Sequence, residues 1–156
     1  MSTGFRVHHI GITVRDMDVS EAFWEELLHT KSVRRYVIEG PFIAAMSGYP
    51  GVRILGSQVN LPSGGYLELL QYLDRDPSAV DPETYHAGNV HVCLEVDDAR
   101  AEFARALELG ATARGPEPVV VPSGANAGAV TCYLRTVDGV TVELFQPPAP
   151  GAGPAA

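Results

Sequence analysis

The feature that most constrains this chain is an internal repeat. Setting His9 against His91 aligns Ile10 with Val92, Ile12 with Leu94, Val14 with Val96 and Asp16 with Asp98. Each copy reads as an apolar strand running into an acidic helix start. The copies also close alike, with Tyr66-Leu67-Glu68-Leu69-Leu70-Gln71 matching Thr141-Val142-Glu143-Leu144-Phe145-Gln146. A unit this small cannot bury enough apolar surface by itself, so a repeat implies two units that fold as a pair.

Periodicity fills in each copy. In the first, a strand is expected over residues 6–14. A helix follows near Asp18, where Asp18 and Glu21 have the spacing of a capping box. Val19, Phe23, Trp24, Leu27 and Leu28 form its apolar stripe. Strands are expected at 32–38, 54–61 and 66–72, the last two joined by the turn Pro62-Ser63-Gly64-Gly65. Residues 40–51 read as a loop with some strand in it. In the second copy Ala99, Phe103, Ala106 and Leu107 make the helical stripe and Gly110 ends it. Strands are expected at 112–117, 129–135 and 141–145, with a hairpin turn at Val137-Asp138-Gly139. The predicted class is therefore α+β, built from two copies of strand, helix and three strands. The expected boundaries are 1–73 for the first module, 74–88 for a polar, proline-bearing linker, 89–147 for the second module, and 148–156 for a disordered tail rich in proline, glycine and alanine.

Composition narrows the partners. A formal charge of -8 without any basic stretch argues against nucleic acid or an anionic membrane. No apolar run approaches the roughly 18 residues a membrane span needs, and the N-terminus lacks the succession of a signal peptide. A soluble, intracellular, cytoplasmic protein is expected. Cys93 and Cys132 show no metal-type spacing and are expected to be buried, reduced packing residues.

The repeat raises the chemistry above coincidence. His9 and His91 hold equivalent places, and so do Glu68 and Glu143. Neither glutamate has Lys or Arg within its own strand, and a buried carboxylate requires a partner. Two imidazoles and two carboxylates suit one divalent Zn, Ni, Co, Mn or Fe and leave open positions when the centre is octahedral. Beside His9, strand alternation sends His8 to the opposite face, where it packs or meets solvent. The strand at 53–60 carries substrate-binding candidates Arg53, Gln58 and Asn60 on two parities, and the pattern does not say which faces inward. Tyr133, Tyr49 and Tyr66 could donate hydrogen bonds in a pocket. Arg34 and Arg35 could bind a carboxylate, although a solvated strand end is their simpler role.

These residues resemble the vicinal oxygen chelate superfamily, which includes glyoxalase I, methylmalonyl-CoA epimerase, extradiol dioxygenases and fosfomycin-modifying enzymes. The resemblance covers essentially residues 5–147. It rests on His-His-Ile-Gly-Ile-Thr-Val at 8–14, Leu-Glu-Leu-Leu at 67–70, Val-His-Val-Cys-Leu-Glu-Val-Asp-Asp at 90–98 and Asp-Gly-Val-Thr-Val-Glu-Leu at 138–144. The one departure noted is Val137, where the family often has proline. The resemblance implies paired βαβββ modules forming a curved, partly open mixed sheet around a metal, with His9, Glu68, His91 and Glu143 on its four ligand positions. It also implies a homodimer acting on a small molecule.

A His, Glu, His, Glu set looks most like glyoxalase I, an isomerase or lyase in which a metal-bound glutamate also moves the substrate proton. That makes Glu143 the preferred base and Glu68 the second choice. The epimerases use a further glutamate from the central strands, and no acidic residue occurs between Glu39 and Glu68 here. An iron-dependent ring-cleaving dioxygenase could use His9, His91 and Glu143. A non-catalytic antibiotic-binding protein, dispensing with metal, is the reading from a different class.

Overall fold

In the computed structural model, residues 4 and 6–149 are described. They fall into two compact units divided between Ser78 and Ala79. The first unit runs β1 (His9–Thr13), α1 (Met17–Leu27), β2 (Ser32–Glu39), α2 (Pro41–Ser47), β3 (Arg53–Asn60) and β4 (Tyr66–Tyr72). The second runs β5 (His91–Glu95), α3 (Ala99–Glu108), β6 (Thr112–Ala113), β7 (Val119–Val120), β8 (Val130–Arg135) and β9 (Thr141–Gln146). Each unit has one mixed sheet, ordered β1-β4-β3-β2 in the first and β5-β9-β8-β6 in the second, with β7 also on β8. The α+β class and the βαβββ plan are as expected from the repeat. No helix among the described residues is long and apolar enough to cross a membrane. Of the expected tail, residues 150–156 lie outside the described residues.

The decisive pairing is parallel. β1 lies parallel to β4 with Gly11 opposite Glu68, and β5 lies parallel to β9 with Cys93 opposite Glu143. Parallel neighbours cannot be joined by a tight turn, so the helix and the remaining strands form the crossover. Both helices are started by the same device. Asp16 caps α1 by accepting from the N–H groups of Asp18 and Val19, and Asp98 caps α3 by accepting from Arg100 and Ala101. Gln71 at the end of β4 then accepts from Met17 N at 2.9 Å, and Gln146 at the end of β9 accepts from Ala99 N at 3.1 Å. The first N–H of each helix is thereby tied to the last strand of its own sheet, and each cap is worth about 1 kcal/mol.

That capping corrects the expected helix start. Asp16 is the cap rather than Asp18, because the chain leaves β1 in extended conformation only as far as residue 16. Asp18 and Glu21 instead hold Arg35, whose guanidinium lies 2.6 Å from Asp18 and 2.8 Å from Glu21. Arg35 is thus engaged within the fold. With the start moved, the buried stripe becomes Met17, Ser20, Glu21, Phe23, Trp24 and Leu27, while Val19 is exposed. Leu107 on α3 likewise sits at the edge of its stripe and is exposed. Trp24 on α1 is fully buried, as are Val59, Leu67 and Leu69 on the strands β3 and β4 against which α1 packs.

The segment after β2 is a helix, not the expected loop with strand. Pro41 supplies a preset φ at its first turn, and Gly48 adopts φ 76° to end it. A helix of seven residues is too short for periodicity to declare. Ile43 anchors it against Val52 and Ile54, with Ile38, Leu70 and Tyr72 around them. The strand expected over 112–117 is reduced to Thr112–Ala113, and the chain pairs again with β8 at Val119–Val120, past Pro116 and Pro118, which carry no N–H for a ladder. Part of the linker sequence folds onto the second unit. Glu83 takes Arg114 at 2.7 Å and the buried Arg135 at 3.4 Å.

Both main helices end in paired backbone bonds that require a left-handed residue. After α3 this is Gly110 at φ 101°, with Ala111 N bonded to Ala106 O and Gly110 N to Leu107 O. After α1 the same position is His29 at φ 51°, with Thr30 N bonded to Glu25 O. A side chain in that conformation is strained, so His29→Gly is expected to raise the unfolding free energy by about 0.5–1 kcal/mol, read from the denaturant midpoint. A second expectation concerns acid. Burial alone would raise the Glu21 carboxyl, but its bonds from Arg35 and Ser32 bring it below the usual value of 4.5. Its stabilisation is therefore complete above that pH and is lost as pH falls through the lower folded value. Chemical unfolding at stepped pH should show this loss below about 4.5, and Arg35→Gln should remove it.

Candidate functional site

Direct cross-strand partners share a face of a sheet, and this sorts the first unit. Glu68 pairs with Gly11 on β1 and with Gln58 on β3, and Gln58 pairs with Arg34 on β2. One face therefore carries His9, Glu68, Gln58, Asn60, Gly56, Tyr36 and Arg34. The parity of Ser57 and Val59 turns toward α1. That decides the question left open at 53–60. Gln58 and Asn60 share the glutamate's face, bonded to each other at 3.1 Å, whereas Arg53 has the other parity and pairs with Glu39 at 2.9 Å.

On this face His9 Nε2 lies 3.4 Å from Glu68 Oε2. The other carboxylate oxygen, Oε1, accepts the Tyr36 hydroxyl at 2.5 Å. Burial first, and then this bond to Glu68, push the Tyr36 phenol above its ordinary range, so it stays protonated and donates. The Tyr36 ring occupies the room left by Gly56, its β2–β3 partner. A Cβ on Gly56 would lie 2.4 Å from the ring's Cε2. Arg34 covers the same ring at 5.1 Å.

His8 departs from expectation. β1 begins at His9 rather than at residue 6, so strand alternation does not reach His8. Its Nδ1 lies 2.8 Å from His9 Nδ1, and one of the two must donate to the other. Tyr66 stacks on His9, with ring centres 5.3 Å apart and planes 19° apart. Gly65 helps set this corner: its φ is 75°, and a Cβ there would press on the His8 carbonyl at 3.3 Å. Tyr49 packs instead on Tyr72 and under Arg75.

The second unit repeats the pattern. His91 Nε2 lies 3.1 Å from Glu143 Oε2, and Glu143 Oε1 lies 2.8 Å from the Thr131 hydroxyl. Tyr133 is the direct partner of Glu143 on β8, with its ring 5.2 Å from His91. Burial, then the Glu143 carboxylate, raise its phenol. A cavity of about 400 Å³ opens beside Glu143, lined also by Thr131, Tyr133, Arg114, Glu117 and Val119. Cys93 is not the buried residue expected. It is exposed on the His91 and Glu143 face, because β5 alternates and Val92 takes the inner side. Partial desolvation, then Glu143, raise its thiol to about 11, so it is a thiol rather than a thiolate at neutral pH.

Each unit thus brings together one imidazole and one carboxylate that the repeat singled out. Among the described residues no group of three or more His, Cys, Asp or Glu side chains forms a metal-holding cluster. The donor chemistry of each pair does fit a cation. Neighbouring ligands with bonds of about 2.1 Å sit about 3 Å apart around a six-coordinate ion, which is close to the two Nε2 to Oε2 separations. Sequence reasoning missed Tyr36, Gly56 and Thr131. Only the sheet register exposes them, although a tyrosine and a glycine facing each other on predicted neighbouring strands would have been a usable hint.

Comparison with known proteins gives the family. A model described as "Glyoxalase/Bleomycin resistance protein/Dioxygenase superfamily" matches residues 8–133. The chain is 29% identical over 142 residues to the uncharacterized protein YwbC of Bacillus subtilis (strain 168), covering 90% of this chain and 97% of that one. Its fold is similar to a glyoxalase family protein from Bacillus cereus, with a TM-score of 0.78 at 22% identity, covering 96% of this chain and 99% of that one. It is also similar to the fosfomycin resistance protein FosX from Listeria monocytogenes, a complex with Mn(II) and sulfate, with a TM-score of 0.58 at 13% identity and 96% of both chains covered. The chain belongs to the glyoxalase/bleomycin resistance protein/dioxygenase superfamily.

Proposed function

We propose that this protein is a metal-dependent isomerase or lyase of glyoxalase type, acting on a small molecule, with His9, Glu68, His91 and Glu143 as ligands of one divalent cation and Glu143 as base. The observation that carries the reading is the repeated pair. In each unit a histidine Nε2 faces a glutamate Oε2, at 3.4 Å and 3.1 Å, from equivalent places in a parallel ladder. FosX, with its Mn(II), supports a divalent cation in this family. Zn, Ni, Co, Mn and Fe all suit the donor set.

When bound, the cation supplies Lewis acidity that stabilises negative charge developing on substrate oxygen. The chain's residues do the rest. Glu143 stands at the rim of the cavity and can take a proton from substrate carbon through Oε2. Tyr133 beside it is held protonated and can donate to a substrate oxygen. Gln58 and Asn60, on the Glu68 face, offer amide groups to polar parts of the substrate. A homodimer belongs to the same proposal, since β2 and β6 are edge strands that a second copy can cover.

The test is metal content by mass spectrometry on protein purified without a metal-chelating tag. About one divalent ion per chain is expected in the wild type and its loss in His91→Ala. Glu143→Gln should then lower turnover of a hemithioacetal by about 10²–10⁴-fold while the fold persists. Iron as the bound metal would redirect the assignment to ring-cleaving dioxygenase chemistry. A wild type that takes up no metal after reconstitution would overturn the reading and leave the small-molecule binding protein.

A further inference from the structure

We propose that Tyr36 and Thr131 are positioning residues that hold Oε1 of Glu68 and of Glu143, so that each carboxylate meets the cation through Oε2 alone. The inference rests on the metal reading above and adds to it which oxygen of each glutamate is presented and what holds it.

The two units divide each carboxylate in the same way. Glu68 gives Oε1 to the Tyr36 hydroxyl and Oε2 to the His9 side, and Glu143 gives Oε1 to the Thr131 hydroxyl and Oε2 to the His91 side. The hydroxyls arrive by different routes. Gln58 faces Glu68 and Tyr133 faces Glu143, so Gly56 and Thr131, each two residues earlier, hold the same place in their sheets. In the second unit that residue itself carries the hydroxyl. In the first it is glycine, and Tyr36 on the next strand sends its hydroxyl through the gap. Any side chain at 56 would exclude the ring, since a Cβ would stand 2.4 Å from Cε2 and 2.7 Å from Cζ. Unlike residues that converge on one hydrogen bond point to a requirement for that bond. Engaging Oε1 keeps the glutamate from chelating through both oxygens and occupying a position the substrate needs.

The two holds also differ in strength. A hydroxyl has one proton. Tyr36 directs its proton to Oε1, whereas Thr131 lies 2.8 Å from Glu143 Oε1 and 3.0 Å from the Leu144 carbonyl, and can turn its proton to either. Glu68 is thereby the fixed ligand and Glu143 the releasable one, which assigns the base.

The experiment measures Co(II) affinity by competition with a chelating dye, together with the visible spectrum of the Co(II) protein. The variants are Tyr36→Phe, Tyr36→Ala, Thr131→Val and the double variant Tyr36→Ala/Gly56→Thr, which transplants the second unit's arrangement into the first. Tyr36→Phe and Tyr36→Ala are expected to weaken Co(II) binding by about 10–100-fold, Thr131→Val to weaken it less, and the double variant to recover to within about threefold of wild type. Circular dichroism checks the fold, and Thr131→Val, in the other unit, carries the test should a Tyr36 variant misfold. Wild-type affinity in both Tyr36→Phe and Thr131→Val would overturn the inference while leaving the metal reading intact. Failure of the double variant to recover would overturn the role of the hydroxyl as such. A wild type that binds no Co(II) would overturn the metal reading and this inference with it.

Discussion

Everything placed at the site depends on the parallel pairing of the first and last strand within each unit. A parallel ladder sets each histidine two residues before the cross-strand partner of a glutamate, on one face, in both units. The pairing cannot be closed by a turn, so its register must be held from elsewhere. The helix does this. Asp16 and Gln71 fix the start of α1, Asp98 and Gln146 fix the start of α3, and each glutamine sits near the end of the strand that bears Glu68 or Glu143. A slip of one residue would break the glutamine bond and send the glutamate toward the helix-packed core.

With the register set, the opposite faces of each sheet separate their tasks. The helix side takes the apolar core around Trp24, Val59, Leu67 and Leu69 in the first unit, and around Phe103, Ala106, Leu134, Val142 and Leu144 in the second. In the first unit α2 covers one end of the other side, over Ile38, Ile54, Leu70 and Tyr72, and the polar groups occupy the opposite end. The partners of Glu68 and of Glu143 are a hydroxyl and an imidazole rather than Lys or Arg. A carboxylate paired with an arginine would be locked as a structural ion pair, as Glu21 is by Arg35. Glu68 and Glu143 are instead held by a hydroxyl on one oxygen and face an imidazole with the other.

Much of this was legible from the residues. The repeat and the equivalence of His9 with His91 and of Glu68 with Glu143 follow from alternation and spacing, which are local properties of the chain. The turn at Leu61–Gly65 and the hairpin turn at Thr136–Val140 were legible for the same reason, since Gly64, Gly65 and Gly139 all take positive φ there. What misled was also local. The capping-box spacing of Asp18 and Glu21 was genuine as a pattern, but Arg35 on β2 competes for both carboxylates. α2 was hidden because one turn and a half of helix has no period to read, and its existence depends on Ile43 finding Val52 and Ile54.

The sequence by itself determined the two modules, the opening strand and main helix of each, and the repeat equivalence of His9 with His91 and of Glu68 with Glu143, because hydrophobic period and residue type are written along the chain. Only the tertiary structure decided that Gln58 and Asn60 rather than Arg53 share the glutamate's face, that His8 joins His9, and that Tyr36 reaches Glu68 across Gly56. The first and the last are relations between strands, created by a cross-strand register that no one segment carries, and the second follows from where β1 begins.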